Sequence, residues 1–250
     1  MHISALKGKD GKIYTENSDK TTILNDFFSS VFTKEDMENV PNMTPGEKSE
    51  NIFISDVYNI TEETVSLKLK SLNPNKSPGP DKIYPRLLKE LHNELAKPLA
   101  ILFNLSLKEG VLPNDWKHAE VTDIFKKGSK TEPSNYRPVS LTSVVCKILE
   151  SFIRDVVQIH MEKHKLYTKC QHGFRRGKSC TSQLLEVMED LTRFMETKKD
   201  FDVVYLDFSK AFDSVPHQRL LLKLEAYGIT GSILNWTKAF LENRTQCVKI

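Results

Sequence analysis

An aspartate placed directly after a short apolar run is the residue best suited to chemistry in this chain. Val203–Leu206 (VVYL) is rich in β-branched and aromatic residues, which predicts a strand buried on both faces and ending at Asp207. A carboxylate at a sheet edge, with the backbone carbonyl of Phe208 beside it, offers the oxygen ligands that hard cations prefer. Phe212 is expected to form the floor of a pocket next to this cation site. The alternative is an ordinary turn aspartate, and Asp213 is expected to cap the next helix.

A second candidate is a basic loop, Gln171–Ser179 (QHGFRRGKS). It is similar to the phosphate-binding pattern G-x-x-x-x-G-K-[ST], but three residues rather than four separate Gly173 from Gly177. The phosphate cradle depends on that spacing, and no apolar strand precedes the loop. A nucleotide-hydrolysing P-loop protein is therefore disfavoured. A basic loop that leads into a helix N-terminus does suit the phosphates of a nucleic acid.

A third cluster of cations follows a predicted strand; its members are Lys126, Lys127, Lys130 and Arg137. Arginine binds phosphate oxygens bidentately, and lysine acts as a mobile point charge. The whole chain is almost neutral, with 36 Lys and Arg against 33 Asp and Glu, but residues 117–178 hold 13 Lys and Arg against 6 Asp and Glu. This uneven charge indicates one anion-binding face, with nucleic acid as the leading partner; a solvated lysine-rich surface is the alternative.

The elements expected to position these groups are mostly helices. Apolar residues recur with helical spacing along much of the chain, whereas the four prolines of Pro74–Pro85 predict a rigid loop in which Asp81 caps the next helix. Helices dominate and the apolar strand comes late, which predicts an α+β fold, rich in helix with a small partial sheet. The predicted helices cover 22–32, a segment starting at 61, a segment after Asp81 that includes 87–95, and 98–109, 144–164, 180–198, 216–227 and 233–241; the predicted strands cover 119–125 and 203–206.

Several side chains have simpler structural roles. Ile23, Phe27 and Val31 share one face of the first predicted helix and are expected to pack inward. His160 and His164 stand four residues apart without a third metal ligand nearby, so they are expected to face solvent. The two tryptophans are expected in the core; they are Trp116 and Trp236.

Cysteine usage and hydropathy indicate an intracellular chain. No C-x-x-C pair or zinc spacing is present, so the four cysteines are expected to be reduced and mostly buried. The longest apolar run, Leu99–Phe103, is five residues and far too short to span a bilayer. The polar N-terminus carries no secretory signal. We therefore expect a cytoplasmic or nuclear protein that is neither secreted nor membrane-bound.

Taken together, the sequence resembles the reverse transcriptases of non-LTR (LINE-type) retrotransposons of the jockey-like branch. Five blocks match that family in its order, and the resemblance as a whole covers nearly the entire chain. A further stretch, Leu24–Thr33 (LNDFFSSVFT), is similar to the segment that precedes the polymerase in these elements. The five blocks are Asn75–Leu91 (NKSPGPDKIYPRLLKEL), Trp116–Gly128 (WKHAEVTDIFKKG), Asn135–Glu150 (NYRPVSLTSVVCKILE), Gln171–Leu184 (QHGFRRGKSCTSQL) and Val203–His217 (VVYLDFSKAFDSVPH).

The resemblance implies a role for each candidate residue. Asp207 matches the polymerase motif A aspartate that ligates two Mg²⁺ ions, with the Phe208 carbonyl beside it. Phe212 matches the aromatic under the incoming sugar, which favours deoxynucleotides. Lys127 and Arg137 match basic residues that reach the triphosphate. The implied activity is RNA-directed DNA polymerisation by two-metal nucleotidyl transfer.

The resemblance also implies partners and organisation. The partners are an RNA template, a DNA primer and dNTP, and the template is expected along the basic loop. The fold is that of the fingers and the beginning of the palm of a right-hand polymerase. The expected divisions are an N-terminal extension or linker at 1–50, fingers at 51–200 and the start of the palm at 201–250. The template-side residues are Gln171, Arg175, Arg176 and Lys178.

Two local departures and one large one separate this chain from the family pattern. Lys82 stands where the family usually has glycine, and Asp123 where it usually has proline. The family's next blocks, Q-G-x-x-x-G-S and the F/Y-x-D-D hairpin with the other catalytic carboxylates, lie outside this sequence. We therefore expect a fragment or degenerate copy that does not polymerise alone. The alternative is a non-catalytic nucleic-acid binder that uses the basic fingers face.

Overall fold

The computed structural model describes residues 3–40, 59–198 and 200–250, and the end of the predicted N-terminal linker lies outside them. The described chain is an α+β structure rich in helix with two small sheets, as the sequence predicts. Its helices are Asn17–Ser29 (α1), Glu62–Lys70 (α2), Pro85–Glu90 (α3), His92–Glu109 (α4), Asn114–Lys117 (α5), Val144–Lys163 (α6), Cys180–Glu196 (α7), His217–Ala226 (α8) and Gly231–Leu241 (α9). Its strands are Leu6–Lys7 (β1), Ile13–Tyr14 (β2), His118–Phe125 (β3), Tyr136–Leu141 (β4) and Thr245–Val248 (β5).

Helix ends follow local signals in the sequence. Thr61 precedes α2, and its hydroxyl accepts a hydrogen bond from the backbone N–H of Thr64 at 3.3 Å. Ser143 caps α6 in the same way, and α4 stops at Gly110 in the left-handed conformation, with φ of 63°. Asp81 does not cap α3 as predicted. Its carboxylate instead accepts from the N–H of Ile83, because the helix begins three residues later than that cap would require.

The main core lies among the helices and reaches from α2 to α9. Helix α4 is its centre, since both α2 and α9 pack against it. Both tryptophans are buried in this core, as the sequence predicts. Buried members of this core on α2, α3, α4, α5, α6 and α9 include Val65, Leu88, Phe103, Trp116, Leu149, Phe152, Ile233 and Trp236.

A second, smaller core joins the N-terminal segment to a three-stranded sheet of order β4-β3-β5. Strand β4 pairs antiparallel with β3, and β5 pairs parallel with it. Helix α1 packs on this sheet through Leu24 and Phe28, which meet Val121, Tyr136 and Val248. The apolar face predicted for this helix adjoins that contact, since Ile23 and Phe27 are partly buried and also pack against this core, whereas Val31 lies beyond the end of the helix at Ser29.

The predicted strand at 203–206 does not form. Residues 201–208 have neither helix nor strand structure, and Leu206 is 90 % exposed. The prediction was wrong because an apolar run becomes a strand only beside a partner edge. In the described residues the sheet consists of β4, β3 and β5, and the run pairs with neither of its two edge strands.

Two other structural expectations are also wrong. His160 is buried rather than solvent-facing, since its Nε2 lies 2.7 Å from the backbone carbonyl of Tyr227 where α6 meets the end of α8. Only Cys146 among the cysteines is buried, and burial raises the pKa of its thiol. The other three lie on loops or exposed element faces, where no core is available to cover them; they are Cys170, Cys180 and Cys247.

Lys82 adopts a backbone conformation that suits the glycine expected from the family pattern. Its φ is 57°, in the left-handed region that L-residues enter at a cost of about 1–2 kcal/mol. Its ammonium lies 2.9 Å from the carboxylate of Glu120, which Lys249 also approaches, at 3.5 Å. Lys82 lacks the backbone freedom of glycine, but it contributes an ion pair that joins the proline-rich loop to β3.

None of the described helices is both long enough and apolar enough to cross a lipid bilayer.

Candidate nucleic-acid interface

The basic loop lies between α6 and α7 and is tied to both helices. From the α6 side, Glu162 accepts two hydrogen bonds from the Arg175 guanidinium, at 3.0 and 2.8 Å. These bonds hold the pKa of the Glu162 carboxyl below its usual value. The same guanidinium donates to the backbone carbonyl of Thr168 and stacks over the ring of Tyr167. Arg175 is thus half-buried and occupied by partners within the chain.

From the α7 side, a buried histidine anchors the loop. The Nδ1 of His172 lies 2.9 Å from the hydroxyl of Ser182, and its Nε2 lies 2.8 Å from the carboxylate of Glu186. Lys178 donates to the other oxygen of that carboxylate at 3.1 Å. These two hydrogen bonds lower the pKa of the Glu186 carboxyl, and the one with His172 has the larger effect. Ser182 also completes a capping box with Ser179, so loop and helix N-terminus form one hydrogen-bonded unit.

The carboxylates that bind Arg175 and Lys178 leave one cation of the basic loop without a partner in the described chain. Arg176 is exposed and has no hydrogen bond or ion pair to any residue that the structure describes. Gln171 is also exposed, with a weak hydrogen bond from its amide to the carbonyl of Gly173. Of the four predicted template-side residues, Arg175 and Lys178 are held by carboxylates, whereas Arg176 and Gln171 face outward.

A second set of free cations lies on the β3–β4 hairpin. Lys127 lies two residues after the end of β3, and Arg137 stands on β4 opposite Ile124. Both are exposed, as is Lys126, and none of the three has an ion-pair partner among residues 3–40, 59–198 and 200–250. Arg137, Ile124 and Val139 share the sheet face that points away from α1, so this face combines positive charge with apolar surface.

The motif A segment is open to solvent. Asp207 and Phe208 are exposed on the irregular stretch, and Phe212 is 80 % exposed in the turn that follows. The ring of Phe212 makes an edge-to-face contact with Phe174 of the basic loop, at 6.0 Å between centroids. The structure thus brings motif A beside the basic loop. In the described chain, no hydrogen bond, ion pair or ring contact joins Asp207 to Lys127 or Arg137.

The end of motif A is fixed by the N-terminal segment. Both oxygens of Glu35 accept hydrogen bonds from the first turn of α8, one from Gln218 N–H at 2.9 Å and one from Arg219 N–H at 3.1 Å. Thr33 donates to the backbone carbonyl of Ser214 nearby. The prediction that Asp213 caps this helix was wrong, because the carboxylate of Glu35, distant in sequence, occupies the helix N-terminus instead.

Replacing Glu35 by alanine is expected to lower the free energy of unfolding by about 1–2 kcal/mol, the cost typical of losing a helix cap. The variant leaves two N–H groups of α8 without their acceptor. Urea unfolding followed by circular dichroism measures the loss. Glu38→Ala removes a similar charge from an exposed position nearby and is the matched control. Equal unfolding midpoints for both variants would show that Glu35 does not stabilise α8.

The donor set fits one contact to a divalent cation but not a pair of ions. Asp207 and the Phe208 carbonyl supply hard oxygen ligands, as Mg²⁺ prefers. The residues described by the structure contain no group of three or more His, Cys, Asp or Glu side chains placed to hold a metal. Two-metal catalysis needs opposing carboxylates, so these residues alone do not form such a site.

Sequence reasoning missed the residues that organise the basic loop. Glu162 and Glu186 sit on the two helices that flank it, 13 and 8 residues from the cations they bind. His172 lies inside the loop itself, and its burial was not evident from its polar neighbours. The one available signal was the position of Ser182 and Glu186 on one face of α7, four residues apart.

The chain is similar in sequence to several known proteins. A family model described as "Reverse transcriptase (RNA-dependent DNA polymerase)" matches residues 124–249. The chain is 32 % identical over 192 residues to the RNA-directed DNA polymerase from mobile element jockey of Drosophila melanogaster, covering 76 % of this chain and 21 % of that protein. It is 30 % identical over 198 residues to the probable RNA-directed DNA polymerase from transposon BS of the same organism, with 76 % and 21 % covered.

A third relative, the probable RNA-directed DNA polymerase from transposon X-element of Drosophila melanogaster, is 31 % identical over 176 residues, covering 70 % of this chain and 19 % of the relative. The chain thus spans about a fifth of the length of the curated relatives it matches. Identity at this level over most of the chain, together with the family match, establishes common descent. The chain therefore belongs to the reverse transcriptases of non-LTR, jockey-like retrotransposons.

Proposed function

We propose that this chain forms the fingers and the first palm segment of an RNA-directed DNA polymerase, with an RNA template, a DNA primer and dNTP as its partners. The observation that carries the proposal is the set of exposed, unpaired cations within the matched stretch, Lys127, Arg137 and Arg176. Phosphates that neutralise such cations release counterions, which drives binding to nucleic acids. Residues 51–200 are assigned to the fingers, 201–250 to the palm and 1–50 to an extension.

Each free cation has a stated task. Arg137, on strand β4, binds phosphate oxygens of the incoming nucleotide with its planar fork, and Lys127 adds a mobile charge from the adjacent turn. Phe212 packs under the sugar. Asp207, with the Phe208 carbonyl, contributes one carboxylate to a site that other carboxylates complete. Bound Mg²⁺ supplies the charge that neutralises phosphate oxygens in such a site.

Arg176→Ala is expected to weaken binding of a primed RNA template and to reduce the log–log salt slope by about 0.7–0.9, the share of one phosphate contact. The reason is that Arg176 has no partner to satisfy within the described chain, so its charge is available. Fluorescence anisotropy between about 50 and 200 mM salt measures both quantities. Arg193→Ala, which removes an exposed arginine already paired on α7, is the matched control.

Two outcomes would contradict the assignment. Absence of salt-dependent binding by the unmodified chain would overturn the proposed function. Identical salt slopes for Arg176→Ala and Arg193→Ala would show that the basic loop does not contact phosphate. Arg175→Ala serves as an internal check, since it removes a clamp to Glu162 and is expected to lower the melting temperature, whereas Arg176→Ala leaves it unchanged.

A second candidate function is nucleic-acid binding without chemistry. It is favoured by the absence of a carboxylate cluster in the part of the chain that the structure describes. The two candidate functions predict different nucleotide binding, because only a polymerase segment binds Mg²⁺·dATP through Lys127 and Arg137. Nucleotide binding that Arg137→Ala abolishes supports the polymerase assignment. Template binding without any nucleotide binding supports the binding-only candidate.

A further inference from the structure

A cleft of about 590 Å³ opens between α6 and the basic loop, and neither the metal nor the nucleotide assignment uses it. Its volume falls within the range of about 300–1,000 Å³ typical of small-molecule sites. Aromatic and aliphatic side chains make up its apolar part, and an amide and a guanidinium its polar part. These residues are Ile159, Tyr167, Phe174, Gln158 and Arg176.

The charges at the rim of the cleft leave it positive. Two carboxylates line it, but both are neutralised within the chain, Asp155 by Lys68 and Arg154 and Glu162 by Arg175. The remaining charge is the unpaired guanidinium of Arg176. A ligand of this cleft therefore combines a flat apolar group with a negative charge.

Phe174 lines the cleft and is unusual in both its exposure and its backbone conformation. The residue is 83 % exposed, and its φ of 59° lies in the left-handed region that bulky residues avoid. Gln158 of α6 donates a hydrogen bond at 3.2 Å to its backbone carbonyl and so helps to hold this conformation. The edge-to-face contact with Phe212 leaves most of the ring surface uncovered. The aromatic face is thus exposed to solvent on a residue whose backbone conformation costs free energy.

We infer that Phe174 is a stacking platform for one unpaired base of the template strand, with the phosphate next to that base bound by Arg176. The inference rests on the proposed function and names a contact within it. Single-stranded nucleic acids bind to proteins through just this pairing of aromatic faces with cations along the backbone. Stacking tolerates any base, whereas an apolar protein segment would leave Arg176 unpaired.

The variant Phe174→Gly provides the sharpest test. Glycine suits a φ of 59°, so the variant is expected to fold with an unchanged or higher melting temperature, while losing the ring. Binding of a single-stranded RNA oligonucleotide is expected to weaken about 5- to 150-fold, the range reported for loss of one stacked base. Phe174→Trp is expected to keep most of the affinity.

A matched set of oligonucleotides separates stacking from phosphate binding. On an oligonucleotide with abasic sites in place of its bases, Phe174→Gly is expected to have no effect, whereas Arg176→Ala still weakens binding. An RNA carrying 2-aminopurine is expected to lose fluorescence on binding to the unmodified chain and to keep it with Phe174→Gly. Phe194→Ala, which removes an exposed phenylalanine from the last turn of α7, is the control.

The outcomes distinguish this inference from the proposed function. If the unmodified chain binds no RNA, both fail. If it binds RNA through Arg176 but Phe174→Gly behaves like Phe194→Ala, the proposed function stands and the stacking platform is overturned. Equal weakening by Phe174→Gly on normal and abasic oligonucleotides also overturns it, since the ring would then act on the loop and not on a base.

Discussion

Trp236→Ala is expected to lower the free energy of unfolding by about 3–5 kcal/mol, as truncation of a large buried aromatic does. Trp236 is 2 % exposed, and its ring stacks on Phe240 at 5.1 Å. Its indole N–H donates to the hydroxyl of Ser106 at 2.9 Å, and that hydroxyl donates to the carbonyl of Val111 at 2.6 Å. The variant therefore creates a cavity and removes the hydrogen bond that joins α9 to the end of α4.

Two further variants separate packing from hydrogen bonding. Trp236→Phe keeps most of the ring and leaves Ser106 without its indole donor, so a loss of about 1 kcal/mol is expected. Lys238→Ala, at an exposed position on the same helix, is expected to change stability by less than about 0.5 kcal/mol. Urea unfolding gives the values. Trp116, the other tryptophan of the chain, reports by fluorescence on the same core in every variant.

The shape of the transition tests the proposed boundary between fingers and palm. Ile229 and Ile233, on the palm side of residue 200, share one core with Phe103 and Leu149 on the fingers side. We therefore expect a single cooperative transition that Trp236→Ala shifts as a whole. Two separate transitions, with only the later one displaced, would show that the segments on either side of residue 200 fold independently and that the shared core is not stabilising.

Elements with strong local signals could be predicted from the sequence. Helix α6 has an apolar stripe and a serine cap, and its observed span differs from the prediction by one residue. Gly110 and the caps at Thr61 and Ser143 mark ends that depend only on a few neighbouring residues. Helix α7 was also predicted, yet none of its residues is buried, because amphipathic spacing defines a helix without naming its partner.

Elements that depend on distant partners could not be predicted. Strand β4 contains a proline and has one buried residue, Tyr136, so it carries no period-two pattern to recognise. The apolar run at 203–206 shows the opposite case, a strong pattern without a partner edge in the described chain. Both outcomes follow from the fact that strands are stabilised between segments, whereas helices close their hydrogen bonds locally.

The same distinction holds for the candidate site. Sequence treated Arg175, Arg176 and Lys178 alike, because they share charge and neighbourhood. The structure separates them, since Glu162 and Glu186 occupy two of the three and leave Arg176 free. Pairing across a fold decides which cation is available to a ligand, and a single sequence does not contain that information.

Asp123→Val is expected to raise the free energy of unfolding by about 1–3 kcal/mol at neutral pH, the usual cost of a buried polar group without a partner. Asp123 is 5 % exposed and faces the core between the sheet and α1. Its Oδ2 has no hydrogen-bond partner in the described chain. Burial raises the pKa of this carboxyl above 3.8, an effect partly offset by its own backbone N–H. The family pattern, with proline at this position, places no charge there.

The pH dependence of this gain identifies its cause. A raised pKa means that the folded state binds the proton more tightly than the unfolded state, so this carboxyl destabilises the fold progressively as pH rises from about 3.8 through the folded value. The advantage of Asp123→Val should therefore shrink on acidification, and that of Asp123→Asn, which removes only the charge, should vanish. Thr122→Val places the same residue on the outer face of β3 and controls for a general effect of added apolar surface in this strand. A gain that is constant from about pH 3 to 7, or equal in Thr122→Val, would mean that valine stabilises the strand and that the buried charge costs nothing.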